Sequence, residues 1–164
     1  MLPVRRPPGA VRLRLPHPTG DSHEEDVMKL NTDLGLLLLR VAVGGTIWAH
    51  GAQKLLGWFG GPGWRGTLGF MGAIHIPPIA AWLAILAEFF GGLALVTGIA
   101  GRLAALAIAI DMLVALLVVH LKNGFFLGEK PGIEYTLVLG TAALALAIMG
   151  PGRFALATRS RKGA

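Results

Sequence analysis

The chain has 164 residues, enough for one domain and hardly more. Hydrophobic residues make up 54% and charged ones 15%, against about 45–50% and about 25% in soluble domains, which argues against a soluble enzyme with a charged shell and against a disordered chain. No cysteine is present, which removes disulfides, thiolate nucleophiles and iron–sulfur ligands, and the +6 excess over sparse charges suits lipid headgroups better than nucleic acid.

Residues 1–33 differ from the rest. They carry ten charged residues and prolines at 3, 7, 8, 16 and 18, and read as a disordered tail. The pair Arg5-Arg6 has no apolar stretch behind it, so neither a signal peptide nor a twin-arginine leader fits. Met28, followed by Lys29, stands close to the first apolar run and is a candidate for the true start.

Four apolar segments follow, at 34–56, 77–99, 102–121 and 133–150. Each has roughly 18–23 residues, enough at 1.5 Å per residue to cross a hydrocarbon core of roughly 30 Å. They are apolar on all faces, which does not suit a soluble helix. The expectation is an all-α membrane protein: a four-transmembrane-helix bundle at 34–152, with a basic tail at 153–164. Between the spans, 57–76 reads as a long Gly- and Trp-rich loop, Ala100-Gly101 as a tight turn, and 122–132 as a medium loop. The run Gly60-Gly61-Pro62-Gly63 is no phosphate cradle, because it follows an apolar helix and lacks the Lys-Ser/Thr pair.

Positive charge sets the orientation. Lys29, Arg102, Arg153, Arg159, Arg161 and Lys162 fall on one side; Lys54, Arg65, Lys122 and Lys130 fall on the other. Six against four places both termini in the cytoplasm.

Ionisable residues at membrane depth are costly unless paired or hydrated, so each is a functional suspect. Glu88 and Asp111 fall near the middle of the second and third spans. Arg40 lies toward the cytoplasmic end of the first. It could reach one of the two acids in a proton or substrate path or as a register-fixing structural ion pair, or snorkel outward. Glu88 is the stronger suspect, as a midplane carboxyl able to carry a proton. A second group lies toward the outer end. His50, Gln53 and Lys54 share one helical face, His120 and Asn123 close the third span, and Glu134 and Tyr135 open the fourth. Such a set could bind a polar headgroup such as a quinone ring, could bind a metal, or could merely wet the helix ends. Two axial histidines for one haem fit poorly, since His50 and His120 differ in depth by roughly 7 Å. The glycine pairs at 44–45 and 91–92 let helices approach closely.

In order, the set His50-Gly51-Ala52-Gln53-Lys54-Leu55, Gly57-Trp58-Phe59-Gly60-Gly61-Pro62-Gly63, Pro77-Pro78, Glu88-Phe89-Phe90-Gly91-Gly92, Gly98 with Arg102, His120-Leu121-Lys122-Asn123-Gly124, Glu134-Tyr135 and Gly150-Pro151-Gly152-Arg153 resembles the DoxX family of small four-helix membrane proteins. The likeness spans roughly 30–154. It implies a multi-pass protein of the bacterial or archaeal inner membrane. It also implies an accessory role beside quinone-linked oxidoreductases or oxidative-stress complexes, with membrane or soluble redox subunits as partners. Glu88 and His50 are then the catalytic candidates, and Gln53, Lys54, His120, Asn123, Glu134 and Tyr135 the substrate-binding ones. No cofactor motif is evident in the chain and no metal site is expected; quinone is the cofactor to consider. A non-enzymatic membrane scaffold or small-molecule carrier is the competing expectation.

Overall fold

The computed structural model describes residues 22–126 and 128–156, which are helices, turns and short loops. The first helix, α1 (Ser22–Leu56), has 35 residues and is about 52 Å long, well beyond a hydrocarbon core of about 30 Å. The helix therefore starts twelve residues ahead of Leu34, within the stretch read from sequence as a disordered tail. The reason lies in the helix breakers. The last tail proline is Pro18, and no Gly or Pro stands between Gly20 and Gly35. Glu24 and Glu25 also suit the positive end of the helix dipole. Residues 1–21 and 157–164, most of the two expected tails, lie outside the described residues.

A left-handed Gly57 and the short 3₁₀ turn Trp58–Gly60 lead into α2 (Gly63–Ala73). This helix corrects the reading of 57–76 as a loop throughout. Glycines at 63, 66, 69 and 72 hide it in the sequence. It forms because it buries Thr67 and Met71, and it packs on α1. Pro78 opens α3 (Pro78–Leu86), where its missing N–H costs nothing. A π-turn, Ala87–Gly91, then joins α3 to α4 (Gly92–Thr97) without a break. Gly98, with φ +78°, ends this ladder, and α5 (Gly101–Ala115) runs on through a second π-turn, Leu116–His120, to Asn123. The last helix is α6 (Glu134–Met149), ended by Gly150.

The packing has two halves. α5 lies along α6, and α1 lies along the π-turn and α4. They meet in a core of Val43 and Ile47 from α1, Leu95 from α4, Ala105 and Ile108 from α5, and Ala143 and Leu146 from α6. Large apolar side chains point outward instead: Leu38, Ile79, Leu83, Leu103, Val138 and Ile148 are all at least 62% exposed. Large apolar side chains turned outward all round the bundle are the pattern of helices packed in lipid, where helix contact gains nothing from hydrophobic exclusion. So broad an apolar surface does not suit water. Three helical stretches are long and apolar enough to cross a membrane: His23–Leu56, Pro78–Thr97 and Gly101–Asn123. α6 has 16 residues and about 24 Å, so by length it falls short of the expected fourth full span.

α1 touches the second ladder backbone to backbone. A Cβ on Gly51 would stand 2.4 Å from the Phe89 amide nitrogen, and one on Gly92 would stand 2.6 Å from that of Trp48. Neither neighbour is a flexible tip, so neither can yield. Gly45, one helical step from this seam, has nothing within 4 Å. Gly51→Ala should therefore lower the unfolding free energy in detergent by at least about 1–3 kcal/mol. Gly45→Ala should raise it by about 0.5–1 kcal/mol. Thermal unfolding followed by circular dichroism, with the monodisperse fraction on size exclusion, distinguishes the two.

Candidate functional site

The π-turn carries Glu88, the one acidic residue of the second ladder. A π-turn inserts an extra residue into the helical ladder, and such turns recur at functional sites. Here it faces Glu88 inward, 2% exposed, while Phe90 beside it stays outside. Pro78 is ten residues before Glu88, and Gly101 is ten before Asp111. Both acids thus sit about 15 Å into their helices.

The cation that meets Glu88 is Lys54. Its Nζ donates to Glu88 Oε1 in an ion pair whose carboxylate is buried and whose ammonium is partly exposed. From sequence Lys54 belongs with an outer headgroup-binding set, and the structure corrects that placement. Helical side chains lean toward the helix N-terminus, so a lysine near the C-terminal end of α1 points back into the bundle. Gly51, one turn earlier on the same face, seats α1 against the backbone of Glu88 and Phe89 and so brings the ammonium within reach. The end of α1 is held from above. The hydroxyl of buried Thr67 on α2 donates to the Lys54 carbonyl at 3.2 Å. An ion removed from water costs several kcal/mol, which only a partner this close can offset.

Asp111 of α5 completes the cluster. Gly91 of the π-turn packs on the Ile108 side chain, and one turn from each, Glu88 and Asp111 come level on the two facing helices, where their charges and that of Lys54 interact. Glu88 Oε2 and Asp111 Oδ2 are both buried and accept no hydrogen bond among the described residues. On the α6 side, Tyr135 lies within reach of the charge of Glu88. Its hydroxyl shares a 2.9 Å hydrogen bond with His50 Nε2, the rings meeting edge to face. Lys54, Glu88, Asp111, Tyr135 and His50 thus form one inner polar group contributed by every major helix.

The remaining candidates go elsewhere. Gln53 donates to the Phe59 carbonyl at 3.4 Å, and Gly61 presses on its backbone, so it braces the turn after α1. His120 Nδ1 and Asn123 Nδ2 both donate to the Pro131 carbonyl, at 2.9 and 3.0 Å, which closes the loop before α6. Glu134 stands in the first turn of α6 beside Tyr135. The expected outer assembly of two imidazoles, an amide, a carboxylate and a phenol is therefore divided: His50 meets Tyr135, while His120 and Asn123 meet on the Pro131 carbonyl. Among the described residues, no three His, Cys, Asp or Glu side chains come together as a metal site.

Arg40 pairs with neither acid, so the expected Arg40–Asp111 ion pair is also corrected. Arg40 is 2% exposed and donates to the carbonyls of Pro151 at 2.7 Å and Phe154 at 3.2 Å. Gly98 packs against Ala155 beside it. The reason is again direction: leaning toward the start of α1, Arg40 points away from mid-depth and finds the carbonyls left open after α6. Arg102 does the same for the carbonyl of Met149 at 3.3 Å, and Asp33 accepts from the Arg153 amide at 3.0 Å. Sequence reasoning missed Thr67, whose role depends on a helix hidden by glycines. It also missed the Trp48–Phe89 contact, with centroids 6.2 Å apart, that flanks the π-turn.

An apolar outer surface, three membrane-length helices and a charged cluster kept inside define a multi-pass helical membrane protein. The chain belongs to the DoxX family, whose model matches residues 35–121 and so takes in Lys54, Glu88 and Asp111. It is 31% identical over 119 residues to CatD of Bacillus subtilis (strain 168), covering 73% of this chain and 83% of that protein. The name of CatD carries a provisional assignment as an oxidoreductase. No solved structure matches the chain.

Because Lys54 is partly exposed, removing it should cost about 1–3 kcal/mol, less than the loss of a partner from a fully buried pair. Lys54→Met is expected to destabilise by that amount, and adding Glu88→Gln should recover part of it, because the orphaned charge is then gone. A double-mutant cycle on unfolding in detergent measures the coupling. Arg40→Ala should instead leave the cluster intact and free the segment 151–155, read as faster cleavage there in limited proteolysis.

Proposed function

We propose that this protein is an accessory subunit of a quinone-linked oxidoreductase or oxidative-stress complex in the cell (inner) membrane. In this reading four helices cross the bilayer and both termini are cytoplasmic. The observation that carries it is the inner polar group: a Lys54–Glu88 pair with a buried carboxylate, Asp111 level with it on α5, and the His50–Tyr135 pair. Family membership and an oxidoreductase-named relative support the same direction.

Quinone reduction takes up two electrons and two protons. The electrons come from a redox partner subunit, since this chain has no thiol pair to supply them. The chain's own contribution is the protons and the positioning. His50 and Tyr135 carry the hydrogen-bonding groups that would meet a quinone carbonyl, half-buried at the end of the cluster. Glu88 is the group that holds and hands on a proton, with Lys54 stabilising its charged form after the proton leaves. Lys54 thus joins the site as a partner of Glu88 rather than as a headgroup ligand.

One set of observations favours a second reading, a non-enzymatic scaffold or small-molecule carrier. Gln53, Arg40, His120 and Asn123 each donate to backbone carbonyls, as structural side chains do. The two readings separate on one pair of variants. Glu88→Gln should abolish quinone-dependent activity of membranes, by about 10²-fold or more, while the folded yield persists. His50→Ala should cost about tenfold or more in the same assay. Unchanged redox activity in both variants would leave the scaffold reading standing and remove the first.

A further inference from the structure

We propose that Glu88 and Asp111 hold one proton between them, Glu88 Oε2 to Asp111 Oδ2, as a built-in proton-binding site at the middle of the bundle. Glu88 is 2% exposed and its Oε1 is already taken by Lys54. Its Oε2 and the Oδ2 of Asp111, level with it on the packed α5, are buried and have no donor among the described residues. Two carboxylate oxygens accept and cannot donate, so ionised side chains so placed would repel at low dielectric. One proton turns this repulsion into a carboxyl–carboxylate hydrogen bond and satisfies both orphaned oxygens at once.

Charge counting gives the same answer. The groups facing the pair are Lys54 from α1 and Tyr135 from α6, with His50 beyond the tyrosine. With a neutral tyrosine and histidine, one ammonium and two carboxylates leave a net charge of −1 in the interior. Binding one proton brings the cluster to neutrality, which is the state a low-dielectric interior favours. Asp111 therefore shares the proton of Glu88 and takes no part in the helix-register pairing with Arg40 expected from sequence. The site needs no quinone, and it stands or falls apart from the redox reading.

The test is infrared spectroscopy of the full chain in phosphatidylcholine nanodiscs at pH 7, with the buffer exchanged between H₂O and D₂O. A carboxylic-acid C=O stretching band that shifts in D₂O is expected in the wild type. It should be lost in Glu88→Gln and equally in Asp111→Asn. Asparagine can donate to Glu88 Oε2 as the protonated aspartate does, so Asp111→Asn should keep the wild-type melting temperature where Asp111→Ala does not. Absence of the band in the wild type would overturn the proposal, and so would its persistence in Asp111→Asn. A band that appears only after sodium is replaced by choline would assign the site to a metal cation and would also overturn it. Should Asp111→Asn fail to fold, the wild-type band and its loss in Glu88→Gln still decide. Quinone activity that survives loss of the band would sink the redox reading alone.

Discussion

The bundle depends on the seam where α1 and the α3–α4 ladder meet without side chains between them. At Gly44, Gly51 and Gly92 the two backbones are in van der Waals contact, and a methyl group at any of the three would collide with main-chain atoms. In lipid, such close approach is a main source of helix cohesion, because burying leucine gains little when the solvent is itself hydrocarbon. The seam also fixes where α1 stands along its partner. Gly51 lies on the backbone of Glu88, so Lys54, one turn on, falls over the carboxylate. Packing geometry and the placement of charge are therefore one constraint.

The charges divide by depth. At mid-level, Lys54, Glu88 and Asp111 answer one another inside the bundle. At the end where α6 stops, Arg40 and Arg102 answer main-chain carbonyls, and Asp33 answers a main-chain amide. The second set closes a helix terminus that would otherwise leave unpaired carbonyls in an apolar setting, a role charge fills well because the partial charges there are fixed. The first set has no such vacancy to fill. It is the more expensive arrangement and the one that chemistry can use.

Much of the helical layout was legible in the sequence, because hydrophobic runs of membrane length have few other solutions. The spans at 77–99 and 102–121 agree closely with Pro78–Thr97 and Gly101–Asn123. Two features were hidden. α2 is one, since its glycines read as loop until Thr67 and Met71 are seen packed beneath it. The early start of α1 is the other, since charge and exposure do not stop a helix when no breaker is present. Within the site, the depth of Glu88 and Asp111 follows from counting residues, and their identity as suspects follows from cost. Which cation each would meet did not follow. Arg40 and Lys54 are equally plausible partners on composition. The choice was made by the tilt of side chains along α1 and by the contact at Gly51, neither of which a hydropathy pattern records.

The shortness of α6 gives the molecule two unequal flanks. Around α1 the apolar wall is taller than a hydrocarbon core, whereas at α6 it is about 6 Å lower than the roughly 30 Å of the lipid chains. A bilayer crossed by α6 would relieve that difference by thinning beside it, at the end where Arg102 answers the Met149 carbonyl. A bundle with one wall lower than the other would favour short-chain or pliable lipids on that side alone.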